Sequence, residues 1–551
     1  MKSKFDHRND LVMLPLGGIG EIGMNSYAYG VGPADRRDWL LVDLGVKFGD
    51  ENEPGIDVIL PDLSFLEHEK PLAIVLTHAH EDHLGAVPWL WPRLKCPVFC
   101  TPFAAALLMN KLKEHGLDEV VPIRVQPVGS RFEIGPFACE YVSVTHSIPE
   151  PAALLIETKP GRVVHSGDWK IDRTPFMGRG FDEARLREIG TSGVDALVCD
   201  STNVLREGYS PSEQEVAATL GRIVAEAKGR VAITTFASHV ERVGVAIAAA
   251  RRAGREVVVA GRAMRNTMEA ARACGYLRDA GELLDEANFG YLPPDKVMLI
   301  CTGSQGEPRA AIARIAEDNH PHIALDEGDV VVFSSKTIPG NEKAVAAVIN
   351  DLARLGIDAI TSDDALVHTS GHPRQGELLQ LYEWLKPRAV IPMHGEPRHL
   401  RGQAKLAKSA GIEEIVLADN GQIIRICPAP AMIVDEAHAG RLHVDGRLIV
   451  SSEDGPARQR RKLSFAGLVG VSIVIDARGA LAGDVILFID GIPANLTSVL
   501  EDAVEKAFDL LPRPRRADDA IVAETVRVAV RRSAEAEWGK KPVCRVIIHR
   551  L

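Results

Sequence analysis

The residues Thr77-His78-Ala79-His80-Glu81-Asp82-His83 constrain this chain more than any other stretch. From His78 they pack three imidazoles and a carboxylate into six residues, directly after the apolar run Leu72-Ala73-Ile74-Val75-Leu76, which reads as a buried strand. A sharp loop after such a strand can turn alternate side chains toward one point. Imidazole and carboxylate together suit zinc or a similar divalent ion. Burying four such groups without partners would be costly. The fold must therefore set a ligand-bearing loop at the end of a core strand.

The bulk composition leaves that reading open. A chain of 551 residues has room for about three or four domains. With 46% hydrophobic and 25% charged residues it reads as a soluble globular protein. No apolar run reaches the roughly 18–20 residues that span a bilayer, and the N-terminus MKSKFDHRND lacks the apolar core of a signal peptide. The eight cysteines form no CxxC pair and fall mostly in strand-like runs, as buried free thiols of a reducing cytoplasm would. The net charge of -11 argues against global attraction to nucleic acid but permits a local basic channel. Two basic clusters, Arg458, Arg460, Arg461 and Lys462, then Arg513, Arg515 and Arg516, read either as contact patches or as solvated linker.

Near the N-terminus Gly18, Gly20 and Gly23 have the spacing of a dinucleotide-binding turn, and Asp43 falls where a ribose-binding acid would sit. That turn must open a helix. Here Gly30, Gly32 and Pro33 interrupt the segment before a second strand-like run ending at Asp43, so two strands joined by a polar turn are expected instead. Further strands are expected at 97–100, 131–134, 138–145, 153–158, 162–166 and 195–200, with a helix at 102–115. From about residue 211 the pattern changes to strands at 230–236, 255–260, 296–302 and 329–335 alternating with helices at 212–228, 239–253, 265–274 and 342–355. That alternation predicts a parallel, doubly wound sheet inserted into the first domain. Residues 441–464 are polar and charged and read as a linker. A small α+β domain follows, with strands at 466–476, 484–490 and 542–549 and helices at 497–511 and 517–537.

One zinc needs three or four ligands, and a two-metal site, with ions about 3.5–4 Å apart, needs more and a bridging group. Strand ends supply candidates: His146, Asp168 in His165-Ser166-Gly167-Asp168, and His394 in Pro392-Met393-His394-Gly395-Glu396. Taken in order, DLG, THAHEDH, a lone His, SGDW, CDST, HTSGH and PMHGE resemble the metallo-β-lactamase fold with a β-CASP insertion, and more closely the bacterial ribonuclease J family. The resemblance implies an αββα sandwich at 1–208 and 362–440, an inserted doubly wound β-CASP domain at 209–361, the linker at 441–464 and a C-terminal α+β domain at 465–551. It implies that His78, His80 and His146 hold one metal, that Asp82, His83 and His394 hold the second, and that Asp168 bridges both. Asp43 would orient a ligating imidazole from behind. The two divalent ions are expected to be zinc, with manganese or magnesium as alternatives.

The same resemblance places Asp200 and His372 at the leaving 3′ oxygen, where a carboxylate behind an imidazole favours the cationic general acid. Asp82 would also orient the nucleophile, and His368 would contact the scissile phosphate. Ser238 and His239, with His368, Ser370, Gly371 and His372, would form a pocket for an RNA 5′ monophosphate, although Ser238 could instead simply cap the next helix. Such a pocket at a fixed distance from the metals would explain 5′→3′ exonuclease action. Arg251, Arg252, Arg255, Arg262 and Arg265 are candidates for an RNA channel, and aromatic residues, at 5%, leave little for base stacking. The reading is a two-metal ribonuclease, 5′→3′ exonuclease with endonuclease activity, serving RNA decay and rRNA and mRNA maturation in the cytoplasm. Its substrate would be single-stranded RNA with a 5′ monophosphate. It would act as a homodimer or homotetramer with RNA-degradation partners and no membrane. Two alternatives stay open: a small-molecule metallo-hydrolase of lactamase or thioesterase type, and a non-catalytic RNA-binding subunit.

Overall fold

The computed structural model describes residues 9–338, 340–453 and 455–551. The reading of the extreme N-terminus as free of a leader rests mainly on residues outside this range. Among the described residues no helix is long and apolar enough to cross a membrane. All eight cysteines are free, and seven are buried.

Strands with apolar side chains on both faces must be covered on both sides, and the first domain meets this with two stacked sheets. The first has eight strands in the order Met432–Glu436, Gln422–Cys427, Asp10–Gly17, Ser26–Gly32, Asp38–Val42, Ile74–Val75, Val98–Cys100, Ile123–Val125. The second has seven, in the order Glu414–Ile415, Ala389–Met393, Ala196–Asp200, Arg162–His165, Ala152–Glu157, Phe137–Ser143, Arg131–Ile134. Alternation splits each inner strand between two cores. Ala196 and Val198 face Leu11, Tyr27 and Val42 of the first sheet. Leu197 and Cys199 face the helices Glu183–Thr191, Gln375–Leu385 and Pro397–Ser409 through Ile189, Leu381 and Ala407. The result is the expected αββα sandwich.

Three differences from the sequence reading have physical causes. The glycine-rich N-terminal segment holds three strands, not two. Ser26–Gly32 pairs antiparallel with both neighbours, and its Gly30 and Gly32 serve as strand residues rather than breakers. The apolar run 72–76 contributes a strand only at Ile74–Val75. The expected linker at 441–464 is built structure: Arg441–Asp445 and Leu448–Ser451 form a hairpin, and Pro456–Ala466 is a helix. One of its charges is paired rather than solvated, Arg460 reaching both oxygens of Asp445 at 2.8 and 2.9 Å.

The inserted block is an all-parallel six-stranded sheet in the order Leu284–Asp285, Glu256–Ala260, Val297–Cys301, Val231–Thr234, Val330–Phe333, Asp358–Ile360. Its helix Glu213–Glu226 starts in a capping box between Ser212 and Glu215, which satisfies the first free N–H groups. Residues 48–59 and 442–551 form a second compact unit. In it Leu468–Ile475 pairs antiparallel with Ile486–Asp490 and parallel with Val543–Arg550. Alternate residues Val469, Val471, Ile473 and Ile475 are core against Leu500, Val504, Val522 and Val526. The apolar content of that strand is thus largely spent inside the domain. Arg516 is tied to the carbonyls of Leu511, Gly479 and Asp509, so part of the second basic cluster is structural.

The topology gathers the site. Arg162–His165, Ala196–Asp200 and Ala389–Met393 are parallel neighbours, with Asp200 in register with Met393. Asp168, Asp200 and His394 therefore leave the same edge of the second sheet. Asp38–Val42 and Ile74–Val75 are parallel neighbours in the first, so Asp43 and the 77–83 loop emerge together.

Candidate metal centre and active site

Three loops are laced together beneath the cluster. The Leu44 N–H donates to the His83 carbonyl at 2.7 Å, the Asn25 N–H to the Asp82 carbonyl at 2.9 Å, and the Gly45 N–H to the Asn25 carbonyl at 2.9 Å. Gly45 is required here because a Cβ would stand 1.7 Å from the Asp82 carbonyl oxygen. Asp43 is fully buried and held in the left-handed region at φ 59°. Its carboxylate accepts from the Thr77 N–H at 2.7 Å, the Thr77 hydroxyl at 2.9 Å and His83 Nδ1 at 2.7 Å. His394 also sits at positive φ, 50°. Left-handed backbone at both positions is held in place by the surrounding loops.

These hydrogen bonds fix the tautomers. Thr77 donates its proton to Asp43, so its oxygen accepts from His78 Nδ1 at 3.0 Å, which leaves a lone pair on His78 Nε2. His146 Nδ1 donates to the Gly371 carbonyl at 2.7 Å, which leaves a lone pair on Nε2. Both lone pairs point at His80 Nδ1, at 3.1 and 3.0 Å. Three ring nitrogens cannot satisfy one another at that separation, whereas one cation at their centre satisfies all three. Burial pushes the His80 pKa down to about 4, and it holds His78 and His146 below the ordinary range, each further lowered by a neighbouring imidazole. All three are neutral ligands at neutral pH.

The second group is Asp82, His83, Asp168 and His394, whose ligand atoms lie within 4.8 Å of one another. His83 gives its Nδ1 proton to Asp43, so Nε2 faces Asp168 Oδ2 at 3.3 Å and Asp82 Oδ2 at 3.7 Å. His394 Nδ1 donates to Asp168 Oδ1 at 2.8 Å, and its buried Nε2, without a hydrogen bond, faces Asp82 Oδ2 at 3.2 Å. Burial opposes charge on both rings, but Asp168 and Asp82 outweigh it, raising His83 well above the usual range and His394 to about 10. Protons thus stand where the chemistry of the donors calls for cations. Asp168 Oδ2 also lies 3.9 Å from His78 Nε2 and 3.7 Å from His146 Nε2, so one carboxylate touches both groups. The donor set fits a pair of divalent ions, with seven residues on hand: His78, His80, His146, Asp82, His83, His394 and Asp168.

Beside this cluster His372 Nδ1 lies 2.8 Å from Asp200 Oδ2. Burial disfavours the imidazolium, but Asp200 and then Asp168 outweigh it and raise the pKa. The ring is 20% exposed, so substrate can reach it. The turn before it needs Gly371, whose Cβ would stand 2.4 Å from His146 Nδ1.

Family models match four stretches: metallo-beta-lactamase superfamily at 23–199, ribonuclease J beta-CASP domain at 228–352, Zn-dependent metallo-hydrolase RNA specificity domain at 365–417 and ribonuclease J C-terminal domain at 457–551. Ribonuclease J of Sinorhizobium meliloti is 48% identical over 98% of this chain and 97% of its own length. Ribonuclease J of Mycolicibacterium smegmatis is 40% identical over 96% of this chain and 95% of its own length. The chain belongs to the ribonuclease J family. A crystal structure of a protein of unknown function from Enterococcus faecalis shares the fold, with a TM-score of 0.53, 16% identity, and coverage of 76% of this chain and all of that one. Ribonuclease J membership together with the His/Asp cluster supports a metal-dependent hydrolytic ribonuclease.

The ribonuclease J β-CASP insert places its candidates less simply than the sequence suggested. The helix Val240–Arg252 is capped by His239, whose Nδ1 accepts from the Arg242 N–H at 3.3 Å, and not by Ser238. Ser238 is half-buried and is left free of capping duty. His239 is buried, with Nε2 3.4 Å from Glu213 Oε1. His368 stands apart from the metal groups with its Nδ1 buried and without a hydrogen bond. Burial, then Arg242 and His239, hold it neutral. Ser370 accepts from the His372 N–H at 3.3 Å. Of the five channel arginines, Arg255 is buried against the carbonyls of Ala227, Gly229, Pro294 and Val297, while Arg251 pairs with Glu256 and Arg265 with Glu286. Those three are structural, and Arg252 and Arg262 are exposed.

Asn25 escaped the sequence reading. Its side-chain nitrogen lies 3.0 Å from His83 Nε2 and 3.4 Å from Asp82 Oδ2, and its oxygen accepts from the Tyr27 hydroxyl at 2.8 Å. Its only signal in the sequence is a polar residue at the start of a strand whose glycines resemble a turn. Asp43→Asn removes the acceptor that fixes the His83 tautomer. Metal affinity should fall about 10–100-fold, measured by competition with a fluorescent zinc chelator. An unchanged affinity would show that Asp43 does not orient the ligand.

Proposed function

We propose that this chain is a two-metal 5′→3′ exoribonuclease with endonuclease activity, favouring single-stranded RNA with a 5′ monophosphate and acting in RNA decay and in rRNA and mRNA maturation. The observation that carries it is the Asp200–His372 pair standing against a carboxylate, Asp168, that touches two ligand groups. His78, His80 and His146 would hold one ion, Asp82, His83 and His394 the other, and Asp168 would bridge. When bound, such ions supply Lewis acidity, activating water and neutralising charge on the phosphate. Zinc suits the imidazole-rich set, with manganese or magnesium as alternatives.

The chain's own groups do the rest. Asp43 holds His83 in one tautomer, and Asp82 orients the nucleophile. Asp200 keeps the His372 ring protonated and aimed, so that the imidazolium gives its proton to the leaving 3′ oxygen. His368, with its unpartnered Nδ1, and Ser238, Ser370 and Gly371 would line the 5′-phosphate pocket beside His239. A small-molecule hydrolase needs neither the insert nor this acid pair, and a non-catalytic RNA-binding subunit would not need the full ligand set.

The deciding assay offers manganese or zinc with one RNA sequence carrying a 5′ monophosphate or triphosphate, beside matched DNA. Mononucleotide release, fastest from the monophosphate RNA, is expected. Turnover of a thioester or β-lactam with no RNA cleavage would overturn the reading. His372→Ala should lower kcat about 10²–10⁴-fold with metal content unchanged, and a full-rate variant would remove His372 from the role of acid. Self-association as a dimer or tetramer, RNA-degradation partners and a cytoplasmic setting belong to the same reading. For the first, the exposed Ile486, Phe488 and Ile547 are the apolar candidates.

A further inference from the structure

Outside the metal centre, a groove of about 690 Å³ runs beside the helix Pro397–Ser409. Its floor includes Val204, Leu205 and Leu406, and its wall carries Arg398, Arg401 and Lys405. Spacings of three and four residues put those cations on one face of the helix. No acidic side chain is among the lining residues. Arg398 is held by Glu396 at 2.9 Å. Arg401 and Lys405 are exposed and have no acidic partner among the described residues. Leu205 lies 51% exposed beneath them, in a chain whose net charge is -11. An open apolar floor under unpaired cations suits a ligand with flat apolar faces strung on a polyanion.

The groove is tied to the catalytic centre by a short run of chain. From Asp200 the loop is pinned by Thr202 to the His394 carbonyl at 2.8 Å, by Asn203 to the His372 carbonyl at 3.4 Å, and by Gln375 to the Val204 carbonyl at 3.0 Å. Leu205 lies five positions after Asp200, so its Cα stands at most about 18 Å from that of Asp200. Arg206 and Arg374 continue the positive strip, their loops joined by the Gln375 N–H to the Arg206 carbonyl at 3.0 Å. The Arg374 Nε is buried with no hydrogen bond. Burial and these two arginines depress the Lys336 ammonium, so a third cation, from the insert, gathers there, while the carboxylate beside Arg374, that of Glu377, accepts from its backbone N–H at 2.8 Å.

We propose that this groove binds single-stranded RNA beyond the scissile phosphate, with Arg401 and Lys405 on consecutive phosphates and bases laid on Leu205 and Leu406. It rests on the ribonuclease reading for the identity of the polyanion. Two phosphate contacts account for about 1.4 of the salt slope of binding, about 0.7 each for a single strand, and for roughly tenfold in affinity.

The test compares the unmodified protein with Arg401→Ala/Lys405→Ala and with the charge-keeping Arg401→Lys/Lys405→Arg. Fluorescence anisotropy is read on hydrolysis-resistant phosphorothioate RNA of about twenty and about four nucleotides across a salt series. Kd for the long RNA should rise about tenfold with a slope shallower by about 1.4. The short RNA should bind, and its phosphodiester form be cleaved, as before, and the charge-keeping variant should restore the long-RNA values. Unchanged long-RNA affinity and slope overturn the proposal, and do so equally if the alanine variant instead loses binding to polyglutamate, which would mark the groove as a protein-docking surface. Absence of RNA cleavage by the unmodified protein would defeat the ribonuclease reading separately, with the anisotropy comparison still deciding the groove.

Discussion

Asp168→Asn is expected to lower RNA hydrolysis by at least about a thousandfold while the chain stays folded. Asp168 Oδ2 lies 3.3 Å from His83 Nε2, 3.7 Å from His146 Nε2 and 3.9 Å from His78 Nε2, and Oδ1 takes the His394 Nδ1 proton at 2.8 Å. One carboxylate thus stands against both ligand groups. An amide of nearly the same volume fills the space but withdraws the charge that draws a cation from each side. Metal assistance is worth several kcal/mol of transition-state stabilisation, and about 1.4 kcal/mol is tenfold in rate. Cleavage and metal content should be measured on the same preparation. A variant that keeps two metal equivalents and cleaves at the parent rate would show that Asp168 does not bridge.

Arg242→Ala is expected to cost about 3–5 kcal/mol of stability, because it strands a buried charge. Arg242 is fully buried. It reaches Glu213 Oε2 at 2.7 Å, the Ser334 hydroxyl at 2.6 Å and the Val367 carbonyl at 2.9 Å. Lys170 completes the network, 3.4 Å from Glu213 and 3.3 Å from Asp172. Burial alone would raise the Glu213 pKa, but Arg242, His239 and Lys170 outweigh it and hold the carboxyl well below its ordinary 4.5. A depressed carboxyl stabilises the fold fully above that ordinary value and loses its contribution as pH falls through the folded one. The parent should therefore soften in acid below about pH 4.5, and much of that acid sensitivity should vanish in the variant. Hydrogen exchange across 213–252 under rising urea reads both effects. Equal protection in parent and variant would mean that the network is not a stabilising element.

Most of the candidate His/Asp cluster was legible in the order of short motifs, because such groups at strand ends stand out as His and Asp after apolar runs. The αββα layers and the parallel insert were equally legible, since strands buried on both faces read as unbroken apolar stretches such as Val297–Cys301. What escaped depended on pairing that no local pattern records. Gly30 and Gly32 look like breakers until Trp39 and Val31 have neighbours across a ladder. Arg460 looks solvated until Asp445 stands beside it. Ser238 looks like a cap by residue type, yet the next residue takes that position. Arg255 looks like a channel cation, yet it ties four carbonyls in the interior of the insert. Asn25 had no motif around it and gained its role only when three loops met.

The insert leaves the sandwich just after Asp200 and its chain returns just before His372. Asp200 and His372, the proposed acid pair, are thus the two gateposts through which the whole added domain is threaded. On that proposal, a mutation that loosens the seating of the insert, however far from the His/Asp cluster, would slide one post against the other and slow cleavage before it changed metal affinity.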